Sequence, residues 1–355
     1  MENRDRTVPT TSRYAVVDGE RSIAFAEENL ASPGPGQVVV KVSYVGVCAT
    51  DTHAYASGGL IPPAVFGHEW SGTIAAVGQN VDTVKIGDRV VASVGPACGE
   101  CSMCTAGITE HCDTAFAEAN GVDANAPDHG AFAEYVTVSS RRVHKALESL
   151  TDEQLALVEP TTVTFHAARR VNQQPGDTVV IQGAGPIGLL AAQHARNMGP
   201  GHVVISEPVE ARRKTARALG FEDVYEPGKT FTSRIQELTD GRGADVVYEC
   251  TGAAPLFQPS AELVRRGGTL ALLGYPMTTS EVSYGDWQSR ELRVIGSLAY
   301  THSDFLSAMQ TIENGSVDIQ PLITGTFSLN ELPELIRELD SGNSVHAKAL
   351  VAPNR

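Results

Sequence analysis

The sequence predicts an α/β fold with two domains, in which a doubly wound parallel sheet follows an irregular, β-rich first part. A chain of 355 residues fits two domains at roughly 100–200 residues each. Short apolar runs separated by turn residues fill the first half and predict strands. From about residue 152, strands alternate with helices of about 10–15 residues, which is typical of a parallel sheet with right-handed crossovers.

The first half is predicted to hold mainly strands. A strand over residues 37–45 follows the Pro- and Gly-rich turn at residues 33–36. Further strands are predicted over residues 73–77, 89–94 and 132–138. Because no long helical pattern interrupts them, we expect an irregular, mostly antiparallel β domain.

The second half is predicted to alternate between strands and helices. It begins with a helix over residues 152–171, and the tail from about residue 300 carries two more helices and a strand over 347–351 that returns to the first domain. The elements between them are strands over 177–182, 201–206, 244–249 and 268–273 and helices over 186–198 and 209–219.

Composition and charge exclude several classes of protein. Hydrophobic residues make up 42% and charged residues 19%, so the chain can build cores and is not predicted to be disordered. The net charge is −15 and the longest basic run is residues 212–214, which argues against a nucleic-acid-binding protein. No segment approaches ~18 consecutive apolar residues, so no membrane span is predicted.

The cysteines and the N-terminal segment predict a cytoplasmic protein. Residues 1–13 are polar and lack the apolar centre of a signal peptide. The chain has six cysteines, and four of them lie between residues 98 and 112. In a reducing compartment such a cluster indicates metal binding rather than disulfides.

A glycine-rich turn after the 177–182 strand predicts a dinucleotide site. Residues 183–188 read Gly183-Ala184-Gly185-Pro186-Ile187-Gly188, which fits GxGxxG between a strand and a helix. Gly183 permits the tight turn, Gly185 lets the backbone approach a pyrophosphate, and Gly188 allows close helix–strand packing. The helix N-terminus supplies N–H donors and a positive dipole, so we expect a Rossmann nucleotide-binding domain.

An acidic residue after the next strand predicts NAD rather than NADP. Glu207 lies 19 residues after Gly188, where a carboxylate binds ribose hydroxyls and repels a 2′-phosphate. Arg212 and Arg213 follow on the next helix. They can stack on adenine, or they can accept the extra phosphate of NADP, which is the alternative. The simplest other interpretation is a packing turn beside a surface acid.

The four clustered cysteines predict a structural zinc site. Cys98, Cys101, Cys104 and Cys112 are spaced by three, three and eight residues. Four thiolates form a closed tetrahedral shell, with sulfurs ~2.3 Å from zinc, and the binding energy stabilises the folded lobe. An iron–sulfur cluster uses the same ligands, but no redox-partner feature accompanies it here.

A second set of residues has metal-binding and proton-transfer chemistry. Taken singly, each member has an ordinary explanation, since a lone Cys is usually a small core residue and a lone His or Glu is usually structural or exposed. They indicate a functional site because they occur together with the other two motifs. The set is Cys48, Thr50, Asp51, His53, His68, Glu69 and Glu159.

In this order the motifs resemble those of the zinc-containing medium-chain dehydrogenase/reductase superfamily. They are most similar to its polyol branch, which includes sorbitol, butanediol and threonine dehydrogenases. The similarity extends from about residue 13 to 352. The motifs are Cys48-x-Thr50-Asp51-x-His53, Gly67-His68-Glu69, Gly87-Asp88-Arg89-Val90, the four cysteines, residues 130–135 (GAFAEY), Glu159-Pro160 and the Rossmann turn.

The resemblance implies a catalytic zinc held by Cys48, His68 and Glu69. Neighbouring residues of a strand point to opposite faces, so His68 and Glu69 can share a metal only if the backbone bends, which Gly67 allows. Glu159 is implied as an alternate ligand or as a partner of the zinc-bound water, and either glutamate can be the inner ligand. The resemblance also implies that Asp51 hydrogen-bonds His68 and fixes its orientation.

The same resemblance implies an NAD-dependent oxidation of a secondary alcohol or polyol. Zinc with an open position acidifies a bound alcohol, because it lowers the pKa of bound water from ~16 to ~7. Thr50 takes the hydroxyl proton and passes it through the NAD ribose to His53. The alkoxide then gives its hydride to the nicotinamide.

Further expectations concern organisation and alternatives. The resemblance implies a GroES-like catalytic domain at residues 1–163 with a zinc lobe at about 95–115, a Rossmann domain at 164–299, a returning segment at 300–355, and a homotetramer or homodimer. A zinc-free enone or quinone reductase of the same fold is an alternative, as is a catalytically silent nucleotide-binding protein. Cys250 is interpreted as a packing residue.

Overall fold

The computed structural model describes residues 9–119, 121–122 and 128–355. Residues 1–8, which form most of the predicted polar N-terminal segment, lie outside this part of the chain. The strands are β1 (Thr11–Gly19), β2 (Ser22–Asn29), β3 (Gln37–Gly46), β4 (Glu69–Val77), β5 (Arg89–Ala92), β6 (Tyr135–Ser139), β7 (Val143–Lys145), β8 (Thr178–Gln182), β9 (His202–Ser206), β10 (Val224–Tyr225), β11 (Ala244–Glu249), β12 (Val264–Leu272), β13 (Arg293–Gly296), β14 (Ile323–Ser328) and β15 (Lys348–Ala352).

The α-helices lie mainly in the second half of the chain. They are α1 (Ala49–Ser57), α2 (Ser102–Thr105), α3 (Asp113–Ala119), α4 (Asp152–Leu155), α5 (Val158–Val171), α6 (Pro186–Asn197), α7 (Glu210–Ala218), α8 (Lys229–Leu238), α9 (Phe257–Leu263), α10 (Tyr284–Ser289), α11 (His302–Glu313) and α12 (Leu332–Asp340). Among the described helices, none has the length and apolar character that crossing a membrane requires.

The first sheet is mostly antiparallel, as predicted. Its strands follow the order β14-β15-β3-β4-β5-β7, and β6 also pairs with β3. Strand β15 comes from the end of the chain, so the predicted return to the first part is confirmed, although β14 beside it was not predicted. The core of this part packs Val40, Phe66, Trp70 and Val136 against α12.

The second sheet is the predicted doubly wound parallel sheet. In the described chain its order is β10-β9-β8-β11-β12-β13, and every pairing is parallel. The strand order therefore reverses between β8 and β11, and ligands of such sheets bind outside the carboxyl ends of the strands at that point. The α/β fold class with a Rossmann domain is confirmed.

The helix predicted over residues 152–171 is divided into α4 and α5. Pro160 lies in the first turn of α5, where it has no N–H to donate to the carbonyl of Ala156. A proline is tolerated in a first turn but not in a helix interior. A new helix therefore begins at Val158, and it places Glu159 near its start.

Candidate functional site

Three predicted metal ligands meet between the first sheet and α1. The Sγ of Cys48, a ring nitrogen of His68 and a carboxylate oxygen of Glu69 lie within 4.8 Å of one another. Cys48 caps the N-terminus of α1, and Glu69 begins β4, where it pairs with Gly46 of β3. Two strands and one helix start thus bring together residues about twenty positions apart in the sequence.

The backbone bends before His68, as the shared metal site requires. Gly67 has a φ of 81°, and a Cβ there would lie 2.8 Å from Phe132. Glycine is therefore the residue that fits both the left-handed conformation and the close approach. His68 Nδ1 lies 2.9 Å from the carbonyl oxygen of Val65, and if Nδ1 donates this bond, Nε2 keeps its lone pair for a metal.

Asp51 makes different hydrogen bonds from those expected. Its carboxylate accepts the backbone N–H groups of Cys48 and Gly67, each at 2.8 Å, and the side chain is fully buried. Its Oδ1 lies 4.0 Å from His68 Nδ1, too far for a hydrogen bond. The predicted Asp51–His68 bond is thus wrong, because two amides occupy the carboxylate and Val65 bonds the ring. Asp51 instead joins the two segments that carry the ligands.

Glu159 faces the cluster from α5 but lies outside it. Among the described residues, the group of ligand atoms within 4.8 Å contains Glu69 and not Glu159. The pKa of Glu159 is raised to about 7, mainly by burial; the charge of Glu69 acts in the same direction and that of His68 opposes the shift. Its side chain hydrogen-bonds Tyr300, whose hydroxyl also accepts the N–H of Val94 at 3.2 Å.

Lys348 is a site residue that the sequence did not identify. It lies on β15, its side chain is 1% exposed, and its Nζ lies 2.5 Å from Glu69 Oε2. Nζ also donates to the carbonyl of Val47 at 2.9 Å. The only sequence signal was a single lysine inside an otherwise apolar strand, which does not indicate a partner 279 residues away.

The two predicted proton-transfer residues lie on α1. The hydroxyl of Thr50 is 3.7 Å from Cys48 Sγ. His53 is on the same helix, and burial lowers its pKa, although the charge of Asp340 opposes this. Within the described chain its Nδ1 is buried and has no hydrogen-bond partner. A buried, unpaired ring nitrogen is what a ligand hydroxyl would satisfy.

The four remaining predicted thiols form a second cluster. Their sulfurs lie within 4.8 Å of one another, with Cys98 and Cys104 3.9 Å apart and Cys101 and Cys112 4.0 Å apart. Four sulfurs ~2.3 Å from one ion in a tetrahedron lie about 3.8 Å apart, so the spacing fits a single zinc. A hydrogen bond from Thr114 lowers the pKa of Cys98 to about 6, which favours the thiolate at this one member of the cluster.

The glycine-rich turn between β8 and α6 leaves open space in front of the helix. Gly183 has a φ of 91° and directly follows β8, and Gly185 caps α6, whose first residues are Pro186 and Ile187. A Cβ at Gly185 would meet no atom within 4 Å, so the space beside it is open. A Cβ at Gly188 would lie 1.8 Å from the carbonyl oxygen of Gly183, which explains that glycine by packing alone.

Glu207 lies beside this turn at the end of β9. Its Oε2 accepts the N–H of Ala184 at 2.7 Å and its Oε1 accepts that of Val209 at 2.9 Å. Each oxygen retains a lone pair for another donor. Arg213 donates to the carbonyls of Glu207 and Pro208, whereas the Nε of Arg212 is buried and lacks a partner among the described residues. Of the two arginines, Arg212 is thus the one available to a ligand.

Comparisons with known proteins agree along the whole chain. The alcohol dehydrogenase GroES-like domain matches residues 34–148, and the zinc-binding dehydrogenase domain matches residues 186–314. The chain is 33% identical to 2-dehydro-3-deoxy-L-galactonate 5-dehydrogenase of Pseudoalteromonas atlantica, covering 95% of this chain and 97% of that protein. It is 31% identical to sorbitol dehydrogenase of Bacillus subtilis, covering 98% and 99%.

A solved structure supports the same relationship. The 2R,3R-butanediol dehydrogenase of Bacillus subtilis is 27% identical and has a TM-score of 0.82, covering 97% of this chain and all of that one. The match spans both sheets, so the arrangement of the two parts as well as each part is shared.

Proposed function

Because the chain belongs to the zinc-dependent alcohol dehydrogenase family, we propose that it transfers a hydride between NAD(H) and a secondary alcohol or polyol, which becomes the ketone. The observation that carries this proposal is the meeting of Cys48, His68 and Glu69 within 4.8 Å. A zinc-free enone or quinone reductase does not require these three ligands. A catalytically silent nucleotide-binding protein does not require them either.

The donor sets fit two zinc ions of different kinds. Thiolate, imidazole and carboxylate from Cys48, His68 and Glu69 are three protein ligands, which is the number in a catalytic site with an open position. The four cysteines offer a closed shell that fits a structural ion. When bound, the catalytic zinc would act as a Lewis acid toward the alcohol oxygen. Glu159 is proposed as an alternate ligand or a partner of water.

The residues around the cluster handle the proton. Thr50 lies beside the Cys48 sulfur, where its hydroxyl can accept the proton of the substrate hydroxyl. His53 lies one helical turn further along α1 and would release the proton to solvent. Asp51 holds both ligand-bearing segments in place through their backbone amides.

NAD is proposed as the cofactor in preference to NADP. The pyrophosphate would lie against the open face of Gly185 and the N-terminus of α6. Glu207 has lone pairs for ribose hydroxyls and a charge that disfavours a 2′-phosphate. Arg212 would stack on the adenine, since Arg213 is already bonded to backbone carbonyls. When bound, NAD accepts the hydride.

We assign the catalytic domain to residues 1–163, the cofactor domain to 164–299 and the returning segment to 300–355. The addition of β14 and β15 to the first sheet supports the return, as does the packing of α12 on α1. Helix α11 packs mainly against α5. We also propose a cytoplasmic location, since six free cysteines suit a reducing compartment.

Self-association is proposed through the exposed edge of the parallel sheet. In the described chain β13 pairs only with β12, and Val294 on it and Leu298 beyond it are 39% and 58% exposed. An unprotected apolar edge strand is a template for pairing with a second copy about a two-fold axis. The assembly is therefore proposed to be a homodimer or a homotetramer built from such dimers.

The decisive experiment combines zinc content with a substrate panel. The wild-type protein should hold two zinc ions per chain and reduce NAD with a polyol, diol or amino alcohol. Cys48→Ala should hold one zinc and lose this activity, because only the four-cysteine site remains. One zinc in the wild type, or full activity in Cys48→Ala, would reject the proposed function.

A further inference from the structure

Lys348 is a fully buried cation beside the proposed catalytic ligands. Burying an ammonium is strongly unfavourable unless it is paired and hydrogen-bonded. The other residues of β15 are Ala349, Leu350, Val351 and Ala352, which are buried and apolar. An apolar residue at position 348 would therefore suit the strand, and the lysine requires an explanation in its contacts.

Within the described part of the chain, the ammonium makes two hydrogen bonds, one to a proposed metal ligand and one to the residue that precedes another. Nζ donates to the carbonyl of Val47, which precedes Cys48, and to Oε2 of Glu69. Strand β15 is in register with β3 at this point, since Leu350 pairs with Gly46. Strand pairing therefore fixes the backbone of Lys348, and the side chain is buried at the site and not free to move at the surface.

These contacts restrict the Glu69 carboxylate. Oε2 is hydrogen-bonded to Lys348 and lies over Gly46, where even a Cβ would be 2.3 Å from it. One carboxylate oxygen is therefore engaged, and the other is left for a metal. A carboxylate that shares its charge with an ammonium donates less of it to a metal, and the cation also repels a divalent ion directly.

We propose that Lys348 is a positioning residue that limits Glu69 to one metal-binding oxygen and keeps the catalytic zinc electron-poor and easily released. This inference rests on the proposed function, because it assumes that zinc binds the Cys48, His68 and Glu69 cluster. It differs from a purely structural role, which would change the stability of the sheet without acting on the metal through Glu69.

The test measures zinc release by a chelator from the purified, zinc-loaded protein. In Lys348→Met we expect the catalytic zinc to leave at least tenfold more slowly, while release from the four-cysteine site is unchanged. Lys348→Arg should restore fast release, since it keeps the charge. Lys145→Met is the matched control, because Lys145 also lies in the first sheet but is 58% exposed and pairs with Asp88.

A double-mutant cycle decides whether Glu69 transmits the effect. In a Glu69→Gln background, Lys348→Met should change the release rate less than twofold. Equal or faster release in Lys348→Met, or the same effect without Glu69, would overturn the inference. If Lys348→Met does not fold, Lys348→Gln provides the same comparison, since it also removes the charge. A wild-type protein with zinc only in the cysteine lobe would reject the proposed function and this inference together.

Discussion

At the scale of single residues, backbone amides decide where the charged groups of the site lie. Asp51 is the example, since its two oxygens accept the N–H groups of Cys48 and Gly67. We expect Asp51→Asn to lose the catalytic zinc and to be less stable by about 1–3 kcal/mol, because the amide NH2 faces a donor. Zinc content and chemical denaturation measure both effects, and two retained zinc ions would contradict the expectation.

A buried histidine sets part of the acid sensitivity. Burial lowers the pKa of His194 to about 4, and the ring lies 3.2 Å from the carbonyl of Thr161. The unfolded chain, with a pKa near 6.5, binds the proton first, so stability falls as the pH falls from about 6.5 to 4. The loss approaches about 3 kcal/mol over this window.

His194→Gln should flatten this acid limb. The glutamine keeps a hydrogen-bond donor and has no titration, so the difference in melting temperature between pH 7 and pH 5 should shrink. His202→Gln is a suitable control, because His202 is exposed. An unchanged pH dependence in His194→Gln would show that other groups cause the acid sensitivity.

The sequence predicted the ligands better than the residues that support them. Cys48, His68 and Glu69 belong to short motifs whose chemistry is local, so their meeting could be expected. Lys348 has no such motif, because its partner is brought to it by a strand pairing between the two ends of the chain. The partners of Asp51 depend on backbone directions in two loops, which residue types do not specify.

At the scale of secondary-structure elements, two glycines of the glycine-rich turn have different roles, since Gly188 is needed for packing and Gly185 for the proposed cofactor binding. A Cβ at Gly185 meets nothing, whereas a Cβ at Gly188 would be 1.8 Å from a carbonyl oxygen. We expect Gly185→Ala to keep its melting temperature but bind NAD at least tenfold more weakly, because the methyl group occupies the pyrophosphate position. Gly188→Ala should lower the melting temperature.

Calorimetric titration with NAD and thermal unfolding measure this pair of variants. The two glycines are matched controls for each other, since both lie in one turn and both gain one methyl group. A Gly185→Ala protein with normal NAD affinity would place the pyrophosphate elsewhere.

The break between α4 and α5 shows what the sequence pattern could not predict. The apolar periodicity continued across the break, whereas Pro160 required a new helix to begin.

At the scale of the whole molecule, the sequence predicted a doubly wound parallel sheet but not all of its strands. Alternating strands and helices indicate a doubly wound sheet because right-handed crossovers leave few alternatives. The position of the edge strand β13 depends on the packing of several helices, and the sequence alone did not predict β13 at all. The exposed residues of β13 form the surface through which we propose that two copies associate.

A charge on that edge should prevent assembly. In a two-fold interface Val294 would lie close to the same region of the second copy, so Val294→Glu adds like charges on both sides of it. We expect light scattering after gel filtration to show a smaller assembly for Val294→Glu. Val345→Glu is the control, since Val345 is 58% exposed and lies far along the chain from β13. An unchanged mass for Val294→Glu would assign the interface to another surface, because a buried carboxylate pair at an apolar edge is too costly to tolerate.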